Sequence, residues 1–248
     1  MIRLTRCISL NSRISLLIST RDRGELLKRT IETAIITAAN KDELEFILYI
    51  DGDDKPTIDL YYKSLIASNV KAIFGLRQEI IGQGYNECCK ISRADICMLC
   101  TDDVIFHTKN WDDLVVNEFS KYPDGIVLIY GEDDIQHGRT ATLPFLHRNW
   151  INTIGHFLPA HFINEFCDRW LTDVAKMIGR CVYLENLHIQ HLHHTQNTMS
   201  LDRTYLDRRK MSRNKMPLNS WRKLYHSLAN ERKIEADKLQ NFIDNFED

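Results

Sequence analysis

No apolar run in this 248-residue sequence approaches the ~20 residues a membrane-spanning helix needs. The first residues, MIRLTRCISLNSR, begin basic, but Arg, Asn and Ser interrupt their apolar positions, which makes a poor secretory signal. Internal repeats and low-complexity segments are also absent. Neither sign of charge is in excess: the formal net charge of −2 excludes a protein that coats nucleic acid with its whole surface. A local basic patch remains compatible with it. Seven cysteines, an odd number, do not make a disulfide framework and fit a reducing, cytoplasmic compartment. The single C-x-x-C, Cys97 and Cys100, has no second copy to complete a zinc site. In a strand, residues three apart face opposite sides, so these thiols are expected as buried small hydrophobes.

What is present is an ordinary globular composition, 44% hydrophobic and 27% charged, long enough to bury a substantial core. ISLLIST (14–20) reads as a central strand, followed by the polar turn Arg21-Asp22-Arg23-Gly24 and a helix to about Asn40. EFILYI (45–50) is a second strand that runs into Asp51-Gly52-Asp53-Asp54. A helix with Pro56 in its first turn follows, then VKAIF (70–74), then a helix across IIGQGYNECCKISRAD with two glycines. The next strand, 96–100, ends in Thr101-Asp102-Asp103. Alternating strands and helices imply a parallel sheet with right-handed crossovers. Asn110 is placed to cap a helix with Trp111, Leu114, Val115 and Phe119 inward, and GIVLIY (125–130) reads as a fifth strand. Residues 135–160 read as pocket-shaping loops, and a helix is expected from about His161 to Ile178. CVYLENLHIQHLHH (181–194) reads as a strand ending in histidines. Hydrophilic residues 195–217 precede one or two amphipathic helices.

Asp102 and Asp103 are the centre of this pattern. An unbroken apolar strand suits burial on both faces, and its C-terminal end is where open α/β sheets bind ligands. Two adjacent carboxylates there repel each other and lose solvation, so a positive group is expected between them. A divalent cation bridging to phosphate is the simplest such group, and oxygen ligands suit Mg²⁺ or Mn²⁺. Thr20-Arg21 and Asp51-Gly52-Asp53 converge on the same edge by topology, although a helix-capping turn is the plain alternative for the latter. His191 and His193 share a strand face; His188 points the other way, which argues against a three-histidine zinc site.

In ISLLISTRDR, YIDGDD, CMLCTDDV and GHFLPAHFINEFCDRWLTDVAKMIGR, the sequence resembles the family 2 glycosyltransferases of the GT-A fold over about residues 13–195. The resemblance implies a GT-A, mostly parallel sheet flanked by helices, with a nucleotide-binding half at 13–108, an acceptor half at 109–195 and a basic helical extension at 196–248. It implies an inverting, metal-dependent enzyme using a nucleotide-diphosphate sugar, a UDP-sugar foremost. Thr20 and Arg21 would line the nucleotide pocket, Asp51 would accept from the base, and Asp53 would stand beside it. The motif is Thr-Asp-Asp, not Asp-x-Asp, so Asp103 matches the main metal ligand and Asp102 would face the ribose or bind through water. His191 resembles the histidine that completes the metal or diphosphate site, with His193 as its alternative. Asp168 occupies the place of the catalytic base, with Asp173 as its rival. Arg77 and Arg93 are further phosphate candidates.

The acceptor is open between a glycan and a modified DNA base. Residues 203–223 carry Arg203, Arg208, Arg209, Lys210, Arg213, Lys215, Arg222 and Lys223 against only Asp207. That run reads as a solvated face, a loop near the donor phosphates, or a phosphate-tracking patch for nucleic acid. Two other functions compete. A sugar-nucleotide nucleotidyltransferase would carry a glycine-rich loop after the first strand, where this chain has one glycine, Gly24. A non-catalytic binding module on the same fold would not need the strand-end carboxylates.

Overall fold

The computed structural model describes residues 14–65 and 69–246; the N-terminal segment read above against a signal lies outside them. Strands β1 (Ile14–Thr20), β2 (Leu44–Asp51), β3 (Val70–Gly75) and β4 (Ile96–Cys100) form where continuous apolar runs were expected. They alternate with α1 (Gly24–Thr37), α2 (Lys55–Leu60) and α3 (Ile81–Ile91). The chain continues through β5 (Val104–Phe106), α4 (Trp111–Phe119), β6 (Leu128–Glu132), β7 (Phe145–His147), α5 (Arg148–Ile154), α6 (Cys167–Met177) and β8 (Cys181–His191). Helices α7 (Arg203–Lys215), α8 (Leu218–Ser227) and α9 (Ala229–Asp244) end it.

All eight strands join one sheet in the order β3-β2-β1-β4-β7-β6-β8-β5. Strands β1 to β4 are parallel to their neighbours within that group, and β6 is parallel to β8. The sheet is nevertheless mixed, with four of its seven pairings parallel: β7 runs antiparallel to both β4 and β6, and β5 runs antiparallel to β8. The reason is β7, a three-residue strand within the segment expected as loop, which inserts between β4 and β6 and reverses the local direction. Strand β6 starts at Leu128, later than expected, because Gly125 adopts a left-handed φ of 71° and the Asp124 carboxylate caps the turn through Ile126 N–H at 2.6 Å.

Alternation along the strands divides the core between two faces. Leu17 and Cys97 join α3, α5, α6, α8 and α9 on one side; Ile14, Leu16, Ile18, Met98 and Cys100 join α1, α2 and α4 on the other. Cys97 and Cys100 are therefore buried on opposite faces, and the C-x-x-C is packing. Gly82 and Gly84 lie inside α3 and allow close packing, since a Cβ on Gly82 would stand 2.7 Å from the Pro159 carbonyl oxygen. Asn110 sits before α4 with φ 56° and makes no side-chain cap; the neighbouring Asp112 instead accepts from Ala39 and Asn40 N–H at 2.7 and 2.8 Å, closing the end of α1. Helix α6 begins at Cys167, six residues later than expected, after Phe166 in a left-handed conformation. No helix among the described residues is long and apolar enough to cross a membrane.

Candidate active site

The parallel register places Thr20, the end of β2 and Thr101-Asp102-Asp103 along one sheet edge. Strand β5 begins directly after Asp103 and pairs Val104 with His191 of β8. Leu192 N–H then donates to the Asp103 carbonyl at 2.9 Å, which brings the histidine beside the aspartate. A register shift at Gly131/Glu132 lets β8 reach this position. A Cβ on Gly131 would overlap the Leu187 carbonyl, so only glycine fits there.

These strand ends open into a cavity of about 520 Å³ whose wall includes Thr20, Arg21, Arg23, Asp102, Asp103, Asp168 and His191. Phe166, in the same wall, holds φ 73°. For a bulky residue that conformation costs about 1–3 kcal/mol, and strain of this kind clusters at functional sites. The Phe166 ring stacks on Tyr225 at 5.1 Å, which fixes the distortion next to Asp168.

The positive group expected between the two carboxylates is present, and it is a side chain. Arg23 donates through Nη1 to Asp102 Oδ1 at 3.0 Å and to Asp103 Oδ2 at 2.9 Å. Its Nε and Nη2 donate to Asp202 at 2.6 and 3.1 Å. The Arg23 side chain is only 12% exposed, so these are buried, charge-assisted bonds. Thr20 donates to Asp102 Oδ2 at 2.7 Å. Both oxygens of Asp102 are thus engaged within the protein, and contact with a ribose requires one of these bonds to open. Burial drives the Asp102 carboxyl above its ordinary range, against Arg23 and with the adjacent Asp103. Burial acts on Asp103 as well, but His191 and Arg23 outweigh it and hold that carboxyl below the usual range.

One acceptor makes no hydrogen bond. Asp103 Oδ1 is buried, and its neighbour is His191 Nε2 at 3.3 Å, an ion pair when the imidazole is protonated; burial opposes that charge on His191, but Asp103 outweighs it and raises the imidazole pKa. An oxygen and an imidazole nitrogen at that separation suit adjacent ligands of a hard divalent cation. No group of three or more His, Cys, Asp or Glu among the described residues forms a complete cage. Cations of this kind are commonly held by one or two protein groups plus substrate phosphates, so the donor set fits. His193 lies further off, its ring 6.2 Å from His191, and accepts from Thr195 N–H.

Arg21 lines the cavity and donates to Asp51 Oδ2 at 3.2 Å and to Asp53 Oδ2 at 2.9 Å. Asp51 is buried behind Arg21 and Asp53 is exposed; neither is part of the cavity wall. The helix cap expected near here is Asp54, which accepts from Thr57 N–H at 3.2 Å. Asp168 faces the cavity, and burial raises its carboxyl pKa. Asp173 is outside the wall and accepts from Tyr225. Arg77 pairs with Asp207 at 3.5 Å and Arg93 is also outside the wall. The third carboxylate run, at the end of β6, is structural: Tyr183 donates to Glu132, and Asp134 pairs with His188 at 3.0 Å.

Residues missed in the sequence come from the hydrophilic stretch, where only Arg208 was named, as part of the basic run. Asp202 caps α7 by accepting from Tyr205 N–H at 2.7 Å, and Thr204, Tyr205 and Arg208 complete the cavity wall. Helix α7 docks by polar contacts: Thr204 donates to the Arg21 carbonyl at 2.7 Å, Arg208 to Gln78 O at 2.8 Å and Ser212 to Glu165 at 3.0 Å. The signal available was Asp202, three residues before Tyr205 and ahead of a run of helix-tolerant residues.

No protein-family model and no curated protein matches this sequence. Solved structures do match. The mannosyltransferase PcManGT from Pyrobaculum calidifontis, in complex with GDP-Man and Mn²⁺, aligns with TM-score 0.62 and 10% identity over 72% of this chain and 56% of that one. S. aureus TarS 1–349 in complex with UDP aligns at 0.58 and 12%, over 72% and 60%. Its complex with UDP-GlcNAc aligns at 0.59 and 10%, over 79% and 64%. The chain spans less than two thirds of these proteins. At such identities the likeness is one of architecture: a curled mixed sheet flanked by helices, with the fold of the GT-A glycosyltransferases.

Proposed function

We propose that this chain is an inverting, metal-dependent glycosyltransferase that moves a sugar from a nucleotide-diphosphate donor, a UDP-sugar foremost, to an acceptor hydroxyl. The observation that carries the reading is the buried Asp103 Oδ1 beside His191, facing Asp168 across one cavity on this fold. Support for the donor class comes from the neighbours, whose structures hold GDP-Man with Mn²⁺, UDP and UDP-GlcNAc. The nucleotide is assigned to residues 13–108, the acceptor to 109–195, and residues 196–248 form an extension whose α7 borders the cavity.

Asp103 and His191 would hold a divalent cation, Mn²⁺ or Mg²⁺. That ion supplies Lewis-acid neutralisation of the charge growing on the departing diphosphate, worth several kcal/mol. Arg23 keeps the two carboxylates oriented and their repulsion compensated, and Thr20 fixes Asp102. Arg21 orders Asp51 and Asp53 at the nucleotide side. Asp168 accepts the proton of the acceptor hydroxyl; its raised pKa makes it a better base than an ordinary carboxylate. A single displacement then inverts the anomeric centre and needs no enzyme nucleophile.

The test measures products from a panel of nucleotide sugars, with Mn²⁺ and with a chelator. Release of nucleoside diphosphate that the chelator abolishes supports the reading. Pyrophosphate would identify a nucleotidyltransferase instead, and no turnover with retained nucleotide binding would identify a binding module.

A further inference from the structure

Helix α7 presents two chemically different faces. Thr204, Tyr205 and Arg208 belong to the cavity wall, and Ser212 is buried. At ~100° per residue, Arg203, Arg209, Lys210 and Arg213 fall within an arc of about 120° on the other side. All four are exposed, with Leu206, 51% exposed, in the middle of the arc. None of the four makes an ion pair among the described residues. The helix's own carboxylate, Asp207, is taken by Arg77 at 3.5 Å.

Lysines on three other helices of this chain are paired along the helix. Lys28 pairs with Glu32 in α1, Lys55 with Asp59 in α2, and Lys233 with Asp237 in α9, each four residues along. Helix α7 omits that device and sets Arg209, Lys210 and Arg213 close together, an arrangement that opposes helix formation by a few tenths of a kcal/mol per like-charge pair. Residues 203–223 hold eight cations less one carboxylate, +7, in a chain of net −2, so the remainder is −9. A concentrated positive face on an otherwise acidic protein selects and steers anions. Three of its four members are arginines, whose planar fork matches phosphate oxygens. From Arg203 to Arg213 the helix rises about 15 Å, the length over which one strand of B-form DNA presents about four phosphates.

We propose that this face of α7 binds a phosphodiester polymer and that the polymer is the acceptor, held beside the cavity that α7 helps to enclose. The assignment as acceptor rests on the glycosyltransferase reading; the binding itself does not.

The probes are a duplex DNA, a single-stranded DNA, a single-stranded RNA and, as a polycarboxylate control, polygalacturonate. Binding is measured by fluorescence anisotropy over a salt series, for the parent and for Arg203→Gln/Arg209→Gln/Lys210→Gln/Arg213→Gln. These positions are exposed, and an unchanged melting temperature confirms that the variant folds. The parent is expected to bind at least one phosphodiester polymer, and which one it binds identifies the source. The variant is expected to lose at least tenfold in affinity, with a log–log salt slope shallower by about 3. Failure of the parent to bind any of the three, equal binding of polygalacturonate, or an unchanged slope in the variant would each overturn the proposal. Donor cleavage without acceptor is followed in parallel. Its absence with the salt-slope change intact would remove the glycosyltransferase reading and leave the binding face standing; its presence with no polymer binding would do the reverse.

Discussion

Replacing Arg23 with methionine keeps much of the side chain's volume and deletes the only positive group among the described residues that contacts both Asp102 and Asp103. Their side chains are 5% and 6% exposed, so water cannot take over the role of the guanidinium. Removing one partner of a buried ion pair costs about 3–5 kcal/mol, because the charge left behind stays desolvated. In a chain of this size each kcal/mol shifts the melting temperature by about 2–4 °C, so a fall of about 6–20 °C is expected. A divalent cation should recover part of it. A ligand at 100 times its dissociation constant stabilises by about 2.7 kcal/mol, and the variant's carboxylates offer more open oxygens than the parent's.

The assay is thermal unfolding followed by circular dichroism, for parent and variant, with Mn²⁺ and with chelator. The expected result is a large Mn²⁺-dependent rise in the variant and a smaller one in the parent, where Arg23 already compensates the pair. A variant that melts with the parent would show that Arg23 does not balance these carboxylates. A variant that melts early and ignores Mn²⁺ would refute the idea that the guanidinium and the metal answer the same electrostatic need.

Asp103→Asn should lower stability and activity together. His191 and Arg23 hold the Asp103 carboxyl ionised against burial, so neutralising it should lower the melting temperature, and donor cleavage should fall by at least 10². Asp168→Asn should lower kcat by about 10²–10⁴ with little change in donor binding by calorimetry. In the parent, kcat should climb with pH through an apparent pKa above the ordinary carboxylate value, since the base form is required and burial raises that pKa; a flat acid limb would count against Asp168. Glu45, buried at the start of β2, accepts from Ser15 at 2.6 Å, from Ala94 N–H at 3.1 Å and from Lys71 at 3.2 Å. Burial opposes its ionised form, but these donors prevail and its pKa is lowered. The resulting stability is present above the unfolded pKa of about 4.3 and disappears as pH falls through the folded value. Glu45→Gln should cost about 1.5–3 kcal/mol at neutral pH, read by urea unfolding, and flatten that acid dependence.

The parts of this fold that were legible are those whose signal is local. Strands β1, β2 and β4 are dominated by apolar residues and buried on both faces, and their spacing with α1 and α3 forces the parallel start of the sheet. Strand β7 is three residues long, too short for any period, and it decides that the sheet is mixed. Two adjacent buried carboxylates, Asp102 and Asp103, require a positive neighbour but do not fix its identity. The partner lies about 80 residues away in sequence, and a guanidinium satisfies the same electrostatics as a metal ion. His191 was legible from its strand end, and Arg208 as one cation of a basic run; Asp202 was not, because it sits in a segment without an apolar stripe.

That missing stripe has a consequence for how α7 is held. A helix usually docks by burying one apolar face, and α6 does so with Trp170, Leu171, Val174 and Ala175. Helix α7 buries only Ser212 fully; beyond the packing of Met211 on the core and of Tyr205 on His193 and His194, it is attached through Asp202, Thr204, Arg208 and Ser212, polar anchors worth about 0.5–1.5 kcal/mol each, more where charged. Such an element opens at a free energy well below that of global unfolding. Amides of 206–215 should therefore exchange at least tenfold faster than those of 170–177 in hydrogen-exchange mass spectrometry. Asp202→Asn should widen the difference, because it weakens the bond to Arg23. Equal protection of the two helices would mean that apolar contacts, and not the charge balance around Arg23, fix α7 over the cavity.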